Sequence, residues 1–157
     1  MAMQVKDVMT PNPITIDPDA PLGTAMAVMR DKGVRHLPVV DETGRLFGIV
    51  TDRDLRSAAF APSLVEHLSV GARRRLHGLG QTLEELRVRD AMTWDVVTSH
   101  PEATIGHAAA VMFQGRFGSL PVVQDDKLVG ILTERDLLRA LGSGSSQINI
   151  DIDGFPW

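Results

Sequence analysis

Apolar positions in the first third of the chain change from an extended spacing to a helical one and back, which predicts a fixed order of elements. A short extended run is expected at Ile14–Ile16, and apolar residues three and four apart predict a helix from Leu22 to Met29. Two β-rich runs, Leu37–Val40 and Leu46–Val50, flank a polar turn, and a second helix is expected to begin near Thr51. The predicted order is β-α-β-β-α.

The same order is predicted again in the second half of the chain. Its members are Val96–Thr98, the helical spacing Ile105–Met112, the runs Leu120–Val123 and Leu128–Leu132, and a helix near Thr133. Gly33 and Gly115 are expected to end the first helix of each copy, since glycine favours the C-terminal cap. The methionines on these helices are expected in the core, where they fill irregular gaps.

Comparison of the two halves indicates that the unit is duplicated. Val5-Lys6-Asp7-Val8-Met9-Thr10 recurs as Val88-Arg89-Asp90-Ala91-Met92-Thr93, Leu37-Pro38-Val39-Val40 recurs as Leu120-Pro121-Val122-Val123, and Gly48-Ile49-Val50-Thr51-Asp52-Arg53-Asp54-Leu55 recurs as Gly130-Ile131-Leu132-Thr133-Glu134-Arg135-Asp136-Leu137. The predicted domains are one repeat over residues 5–56 and a second over residues 88–141, of the α/β (α+β) class.

Two segments, residues 57–87 and 142–157, lie outside the repeats. Residues 57–87 are predicted to form a helical connector, whose Arg73-Arg74-Arg75 cluster is either a solvated face or an anion site. Residues 142–157 are predicted to form a flexible tail, because they begin with a Gly/Ser-rich stretch. The alternating residues from Ile148 to Asp153 fit either an added edge strand or a disordered end.

Composition and motifs disfavour several classes of protein. A net charge of −4 disfavours nucleic-acid binding, and the absence of cysteine excludes disulfides and cysteine-bound zinc. No apolar run approaches the about 20 residues that span a bilayer, and no signal peptide is evident, so a cytoplasmic protein is expected. The histidines lack metal-ligand spacing, and no nucleophile elbow or P-loop occurs, so neither an enzyme nor a metal site is expected.

The Val-x-Asp-x-Met-Thr, Leu-Pro-Val-Val and Gly-Ile-x-Thr-x-x-Asp motifs, in that order and twice, resemble the cystathionine-β-synthase (CBS) domain. The pair resembles a Bateman module, and the resemblance covers residues 5–56 and 88–141. It implies two repeats packed sheet to sheet with pseudo-two-fold symmetry and two clefts, which commonly hold AMP, ADP, ATP or S-adenosylmethionine. It also implies a homodimer arranged as a flat disk of four CBS units.

The Thr-x-x-Asp sequence at each strand-to-helix junction has two interpretations. Thr51 with Asp54, and Thr133 with Asp136, fit a capping box that satisfies backbone N–H groups. A box prefers the longer Glu or Gln at the last position, however, and a carboxylate at a helix start can bind a sugar diol. With the resemblance, ribose recognition by both aspartates is favoured, with the threonine hydroxyls assisting.

The resemblance implies that each cleft combines residues of both repeats. The Asp54 cleft is expected to use Ile49 with Met92, Val97, Phe117 and Ser119, and the Asp136 cleft to use Ile131 with Met9, Ile14, Val34 and His36. Their apolar members form the predicted adenine pocket, because apolar walls with a few polar groups suit a purine. For each apolar residue, ordinary core packing is the alternative.

Phosphate groups are expected at one cleft in preference to the other. Arg35 and His36 precede the Leu-Pro-Val-Val strand of the first repeat, where the second repeat has Gly118 and Ser119. Because basic residues here suit phosphates, the Asp54 cleft is predicted to bind the phosphorylated nucleotide, whereas Ser119 offers only a hydroxyl. Alternatively, Arg35 is solvated and His36 caps a strand. Arg53 and Arg135 either reach the phosphates or pair with Asp52 and Glu134.

The predicted function is a regulatory module that binds an adenosine nucleotide and signals through conformation or association. AMP, ADP or ATP is the expected ligand, with S-adenosylmethionine as the alternative and Mg²⁺ as an optional companion of ATP. The output is expected to reach an unidentified effector protein, with no membrane or nucleic acid as partner. The competing interpretation is a ligand-free dimerisation scaffold of the same fold.

Overall fold

The computed structural model of the protein describes residues 2–58 and 85–143. Most of the predicted connector, with its Arg73-Arg74-Arg75 cluster, lies outside the described residues. The same holds for the tail from residue 144 onward and for His67 and His77.

The described elements follow the predicted β-α-β-β-α order in both halves, preceded each time by one short helix. In chain order they are α1 (Val5–Val8), β1 (Thr10–Pro11), α2 (Leu22–Lys32), β2 (His36–Val40), β3 (Leu46–Thr51), helical residues 52–58, α3 (Val88–Ala91), α4 (Ile105–Gly115), β4 (Ser119–Gln124), β5 (Lys127–Thr133) and α5 (Glu134–Gly142). The mixed α/β fold class is therefore confirmed.

The first strand of each repeat is shorter than predicted. It consists of one parallel bridge, between Ile16 and Val39 in the first repeat and between Ser99 and Val122 in the second. In the second repeat the bridging residue thus follows the predicted run Val96–Thr98. The longer strands pair as expected, with β2 beside β3 and β4 beside β5. The two-residue β1, which was not predicted, pairs with the other edge of β5 and completes an antiparallel three-stranded sheet.

The described chain forms two compact units that differ from the two sequence repeats. The first, which we call the Asp54 unit, contains residues 14–43, 47–58 and 85–95, and the second, the Asp136 unit, contains residues 2–13, 44–46 and 96–143. Each unit therefore includes the leading segment of the other repeat, Val88–Thr93 or Val5–Thr10. Backbone hydrogen bonds anchor these segments, from the Val88 N–H to the Ala20 carbonyl at 3.0 Å and from the Val5 N–H to the Ala103 carbonyl at 2.8 Å.

Each unit has its own apolar core, to which the exchanged segment contributes. The core of the Asp54 unit is built from Ile16, Leu22, Ala25, Met29, Leu37, Val39, Val50, Leu55, Val88 and Met92. The core of the Asp136 unit is built from Val5, Ile105, Ala108, Met112, Leu120, Val122 and Leu132. Because Val88 and Val5 are both fully buried, the exchanged segments stabilise the units that receive them.

The methionine prediction is confirmed for two residues and wrong for a third. Met29 and Met112 are buried, at 6% and 4% exposure, whereas Met26 is 37% exposed. The buried face of α2 is narrow, since its members Leu22, Ala25 and Met29 lie three and four residues apart. Met26 lies at the edge of that face, about 40° around the helix axis from Leu22 and on the side away from Ala25.

Each of the two glycines predicted to end a helix lies at the end of that helix. Gly33 caps α2 in the left-handed conformation at φ 65°, as predicted, and donates its N–H to the Met29 carbonyl. Gly115 is the last residue of α4, as predicted, while the left-handed cap position falls to Arg116 at φ 53°. Gly115 also leaves room for Phe117, because the ring of Phe117 packs where a Cβ at residue 115 would lie.

Candidate functional site

The two Thr-x-x-Asp sequences form complete capping boxes where a strand enters a helix. The Asp54 Oδ2 accepts hydrogen bonds from the Thr51 N–H and Oγ1, both at 2.8 Å, and the Asp54 N–H donates to the Thr51 Oγ1 at 3.3 Å. The Asp136 Oδ2 accepts from the Thr133 N–H at 2.9 Å and from its Oγ1 at 2.7 Å. We call these arrangements the Asp54 corner and the Asp136 corner.

The expectation that the short aspartate side chain disfavours a capping box was therefore wrong. Aspartate is long enough to close the box, because Thr133 has the extended backbone of an N-cap, at φ −117° and ψ 161°. Its N–H consequently lies within reach of a short carboxylate at the third helical position. Capping uses only Oδ2 of each aspartate, so any ribose contact falls to Oδ1.

The second carboxylate oxygen distinguishes the two corners. The Asp136 Oδ1 accepts a hydrogen bond from the Arg139 Nη2 at 2.9 Å, and Asp136 is only 4% exposed. Asp54 is half-buried, and its Oδ1 has no hydrogen-bond partner within residues 2–58 and 85–143. Only the Asp54 corner thus presents an unused carboxylate acceptor.

Apolar side chains lie beside each corner, on the strand that leads into it. Ile49 and Met92 are buried in the Asp54 unit, and Ile49 exchanges two backbone hydrogen bonds with Thr93, at 2.8 and 3.1 Å. Met92 approaches closely because Gly48 lacks a side chain; a Cβ there would lie 2.8 Å from the Met92 Sδ. The structure thus places Met92 of the second repeat against Gly48, which precedes Ile49 on β3, and the role of Ile49 and Met92 in an adenine pocket stays a prediction.

The Asp136 unit repeats this packing with its own residues. Thr10 pairs with Ile131 in the antiparallel register of β1 and β5. The Sδ of Met9 packs against Gly130, where a side chain would collide with it. The glycine of each Gly-Ile motif therefore receives the methionine of the other repeat's leading segment.

Basic residues are available at the Asp54 corner. The Arg35 carbonyl accepts a hydrogen bond from the Asp52 N–H at 3.0 Å, which places Arg35 beside the start of the same helix. Arg35 and Arg53 are both exposed, and no side-chain ion pair of either occurs within the described residues. Asp52 pairs instead with Arg56 at 2.9 Å, so the alternative pairing of Arg53 with Asp52 was wrong.

The remaining predicted residues are divided between the units. Ile14, Val34 and His36 belong to the Asp54 unit, where Ile14 is 38% exposed and Val34 packs against the core. Val97, Phe117, Ser119 and Arg135 belong to the Asp136 unit, where Val97 and Phe117 are exposed and Ser119 is buried opposite Thr133. Their assignment to the aspartate of the opposite unit stays a prediction.

Two features escaped the sequence analysis. Arg139 was not singled out, although its three-residue spacing from Asp136 on one helix would have revealed the contact. A groove of about 290 Å³ between α1 and α5 was also missed; it is lined by Met3, Asp7, Val8, Arg139, Ala140 and Ser143.

Within the part of the chain that is described, no helix is long and apolar enough to cross a membrane, and no histidine or acidic cluster could hold a metal.

Comparison with known proteins identifies the family. A family model of the CBS domain matches residues 5–61 and 88–143. A CBS domain-containing protein of Dictyostelium discoideum is 34% identical over 145 residues, which cover 90% of this chain and 92% of that protein. The L-aspartate semialdehyde sulfurtransferase of Methanocaldococcus jannaschii is 31% identical over 139 residues, and the match spans only 23% of its length.

Solved structures agree with this assignment. The CBS domain pair of protein MJ0100, in complex with 5′-methylthioadenosine and S-adenosyl-L-methionine, is 28% identical with a TM-score of 0.72, covering 92% of this chain and 99% of that one. CBSX2 of Arabidopsis thaliana, in complex with AMP, is 29% identical with a TM-score of 0.74, covering 91% and 98%. With two matched domains in tandem, and a fold shared with these CBS pairs over 91–92% of its length, the chain belongs to the CBS domain family as a CBS pair.

Proposed function

We propose that this CBS pair is a regulatory module that binds an adenosine nucleotide, with the Asp54 corner as its principal ribose site. The observation that carries the proposal is the unused Oδ1 of Asp54, on a carboxylate whose other oxygen is held by two hydrogen bonds from Thr51. Similar proteins of this fold are complexed with AMP, 5′-methylthioadenosine or S-adenosyl-L-methionine.

The chemistry of the Asp54 corner suits a ribose diol. A carboxylate accepts hydrogen bonds only, and its bonds to hydroxyl groups are charge-assisted and short. The capping bonds fix the carboxylate before any ligand arrives, which lowers the entropic cost of binding. The buried Ile49 and Met92 nearby supply the apolar surface that a purine prefers.

The phosphates of the ligand fall to the basic residues of the same corner. Arg35 offers a planar group of donors that matches phosphate oxygens, and it lies exposed beside the helix that carries Asp54. Arg53 and His36 complete the proposed set. We propose AMP, ADP or ATP at this corner, with Mg²⁺ accompanying ATP, and S-adenosylmethionine as the competing ligand.

Calorimetric titration with AMP, ADP, ATP and S-adenosylmethionine tests the proposal. Asp54→Asn keeps the shape and a capping oxygen but removes the charge, so we expect at least about tenfold weaker binding of AMP, equivalent to 1.4 kcal/mol. Asp90→Asn is the matched control, because the exposed Asp90 closes the same kind of capping box at α3, through the Arg87 N–H at 2.7 Å. Unchanged affinity in Asp54→Asn, or equal losses in both variants, would contradict the assignment.

The second candidate function is a ligand-free dimerisation scaffold of the same fold. Exposed apolar residues favour it, notably Leu138 and Leu141 on α5, which are 67% and 48% exposed. The absence of any binding at about 1 mM ligand, together with a stable dimer in sedimentation, would establish the scaffold instead. Under either function we assign this chain a regulatory role and not a catalytic one.

A further inference from the structure

We propose that Arg139 determines which of the two corners binds ligand, by occupying the carboxylate of Asp136. The inference rests on the proposed function, since it concerns the choice between two ribose sites. It adds a specificity-determining residue that lies outside the duplicated motifs. Its basis is a contact that one unit makes and the other lacks.

Both carboxylate oxygens of Asp136 already accept hydrogen bonds from this chain. Oδ2 receives two hydrogen bonds from Thr133, and Oδ1 receives the Arg139 Nη2 at 2.9 Å. The same nitrogen donates to the Val8 carbonyl at 3.2 Å, at the end of α1. The guanidinium group thus bridges two elements, and the Asp136 side chain retains only 6% exposure beneath it.

The Asp54 corner lacks this contact because of one difference between the repeats. When the aligned Gly48–Leu55 and Gly130–Leu137 segments are extended by two residues, Ser57 stands opposite Arg139. Serine carries only a neutral hydroxyl on a short side chain, so it cannot make the charge-assisted contact that Arg139 makes with Asp136. Asp54 is accordingly half-buried, with its Oδ1 unpartnered within the described chain.

The contact weakens the Asp136 corner without abolishing it. A ribose diol at Asp136 must first displace a charge-assisted hydrogen bond, and this lowers its apparent affinity. The Arg139 side chain is 67% exposed, however, so it can move into solvent at modest cost. Replacing Arg139 should therefore raise the affinity of this corner by a measurable factor.

The test uses adenosine as the probe, so that phosphate contacts play no part. In an Asp54→Asn background, which silences the first corner, Arg139→Ser should bind adenosine about tenfold more tightly than the background alone, or 1.4 kcal/mol. Lys127→Ser in the same background is the control, because Lys127 is exposed on β5. In the wild-type chain, Ser57→Arg should weaken adenosine binding by a similar factor. Thermal melting checks that each variant is folded.

The possible outcomes distinguish a failure of this inference from a failure of the proposed function. If the wild type binds adenosine but Arg139→Ser leaves the second corner unchanged or weaker, Arg139 does not select the site and the inference is overturned alone. If neither the wild type nor any Arg139→Ser variant binds, both fail. If only Arg139→Ser chains bind, the Asp136 corner is the ribose site once uncovered, which supports the inference and overturns the assignment to Asp54.

Discussion

Asp54 and Asp136 each close a capping box with one carboxylate oxygen, which leaves the other oxygen for a different contact. Oδ2 closes the capping box in both cases, which stabilises the helix start by about 1 kcal/mol in typical proteins. Only Oδ1 remains to distinguish the corners. Capping and ligand recognition are therefore complementary interpretations of the Thr-x-x-Asp sequence.

The sequence predicted the position of these aspartates but not their difference in availability. A Thr-x-x-Asp at a strand end identifies an N-cap from local chemistry alone. The difference depends on Arg139, whose contact with Asp136 follows from helix geometry but whose contact with the Val8 carbonyl joins residues at opposite ends of the chain. No periodicity encodes such a long-range contact.

Arg35 permits a test of the phosphate assignment. Its backbone carbonyl accepts the Asp52 N–H, so Arg35→Ala preserves that bond and removes only the exposed guanidinium. We expect about tenfold weaker binding of ATP, with adenosine affected by less than about twofold, because an arginine–phosphate contact is charge-assisted. Lys32→Ala, at the exposed end of α2, is the control. Equal losses for ATP and adenosine, measured by calorimetry, would refute a phosphate role.

Local sequence patterns predicted the strands and helices, but they did not predict which strand each leading segment pairs with. The apolar spacing predicted α2 and α4, and the β-rich runs predicted β2 to β5 within a few residues. The leading segments, in contrast, pair with the strands of the other repeat, Thr10 with Ile131 and Thr93 with Ile49. Because the two repeats have nearly the same motifs, the sequence does not distinguish pairing within a repeat from exchange between repeats.

The motif glycines on β3 and β5 give a prediction about this exchange. In Gly48→Ala the new Cβ would lie 2.7 Å from the Thr93 carbonyl oxygen, which is fixed by strand pairing, as well as 2.8 Å from the Met92 Sδ. In Gly130→Ala every close atom belongs to the flexible Met9 side chain. We expect Gly48→Ala to lower the free energy of unfolding by about 1–3 kcal/mol, and Gly130→Ala by less.

Urea denaturation of the two glycine variants measures this difference directly. Met9→Ala combined with Gly130→Ala should recover part of any loss, since it removes the colliding atoms. Met92→Ala should not rescue Gly48→Ala to the same extent, because the Thr93 carbonyl stays in place. A Gly130→Ala variant less stable than Gly48→Ala would show that the β1–β5 pairing is the more rigid one.

Across the whole chain, duplication preserved the framework and changed the chemistry. Both units retain the capping box, the close methionine–glycine packing and a core completed by the exchanged segment. They differ at the two corners. One unit has Arg35 and an Asp54 without an arginine contact, and the other has Ser119 and an Asp136 that accepts a hydrogen bond from Arg139. The two repeats therefore keep one fold while a few side chains give their corners different chemistry.

The exchange also changes which piece of the chain should fold independently. A fragment of residues 5–56 matches one sequence repeat, but it lacks Val88 and Met92, which are 0% and 6% exposed in the core of the Asp54 unit. Burying side chains of this kind contributes about 1.5–3 kcal/mol each, and small domains have little stability to lose. It would also leave β3 without its pairing to Thr93.

A fragment of residues 14–95, by comparison, contains the complete Asp54 unit, including α3 and the Thr93 bridge. We therefore expect residues 14–95 to give a cooperative urea transition and residues 5–56 to lack one, by circular dichroism at equal concentration. Val88→Asp in the longer fragment is the control, since a charge in that core should abolish the transition. A cooperative fold in residues 5–56 would mean that each repeat can complete its own core, so that the exchanged segments add stability to units that already fold without them.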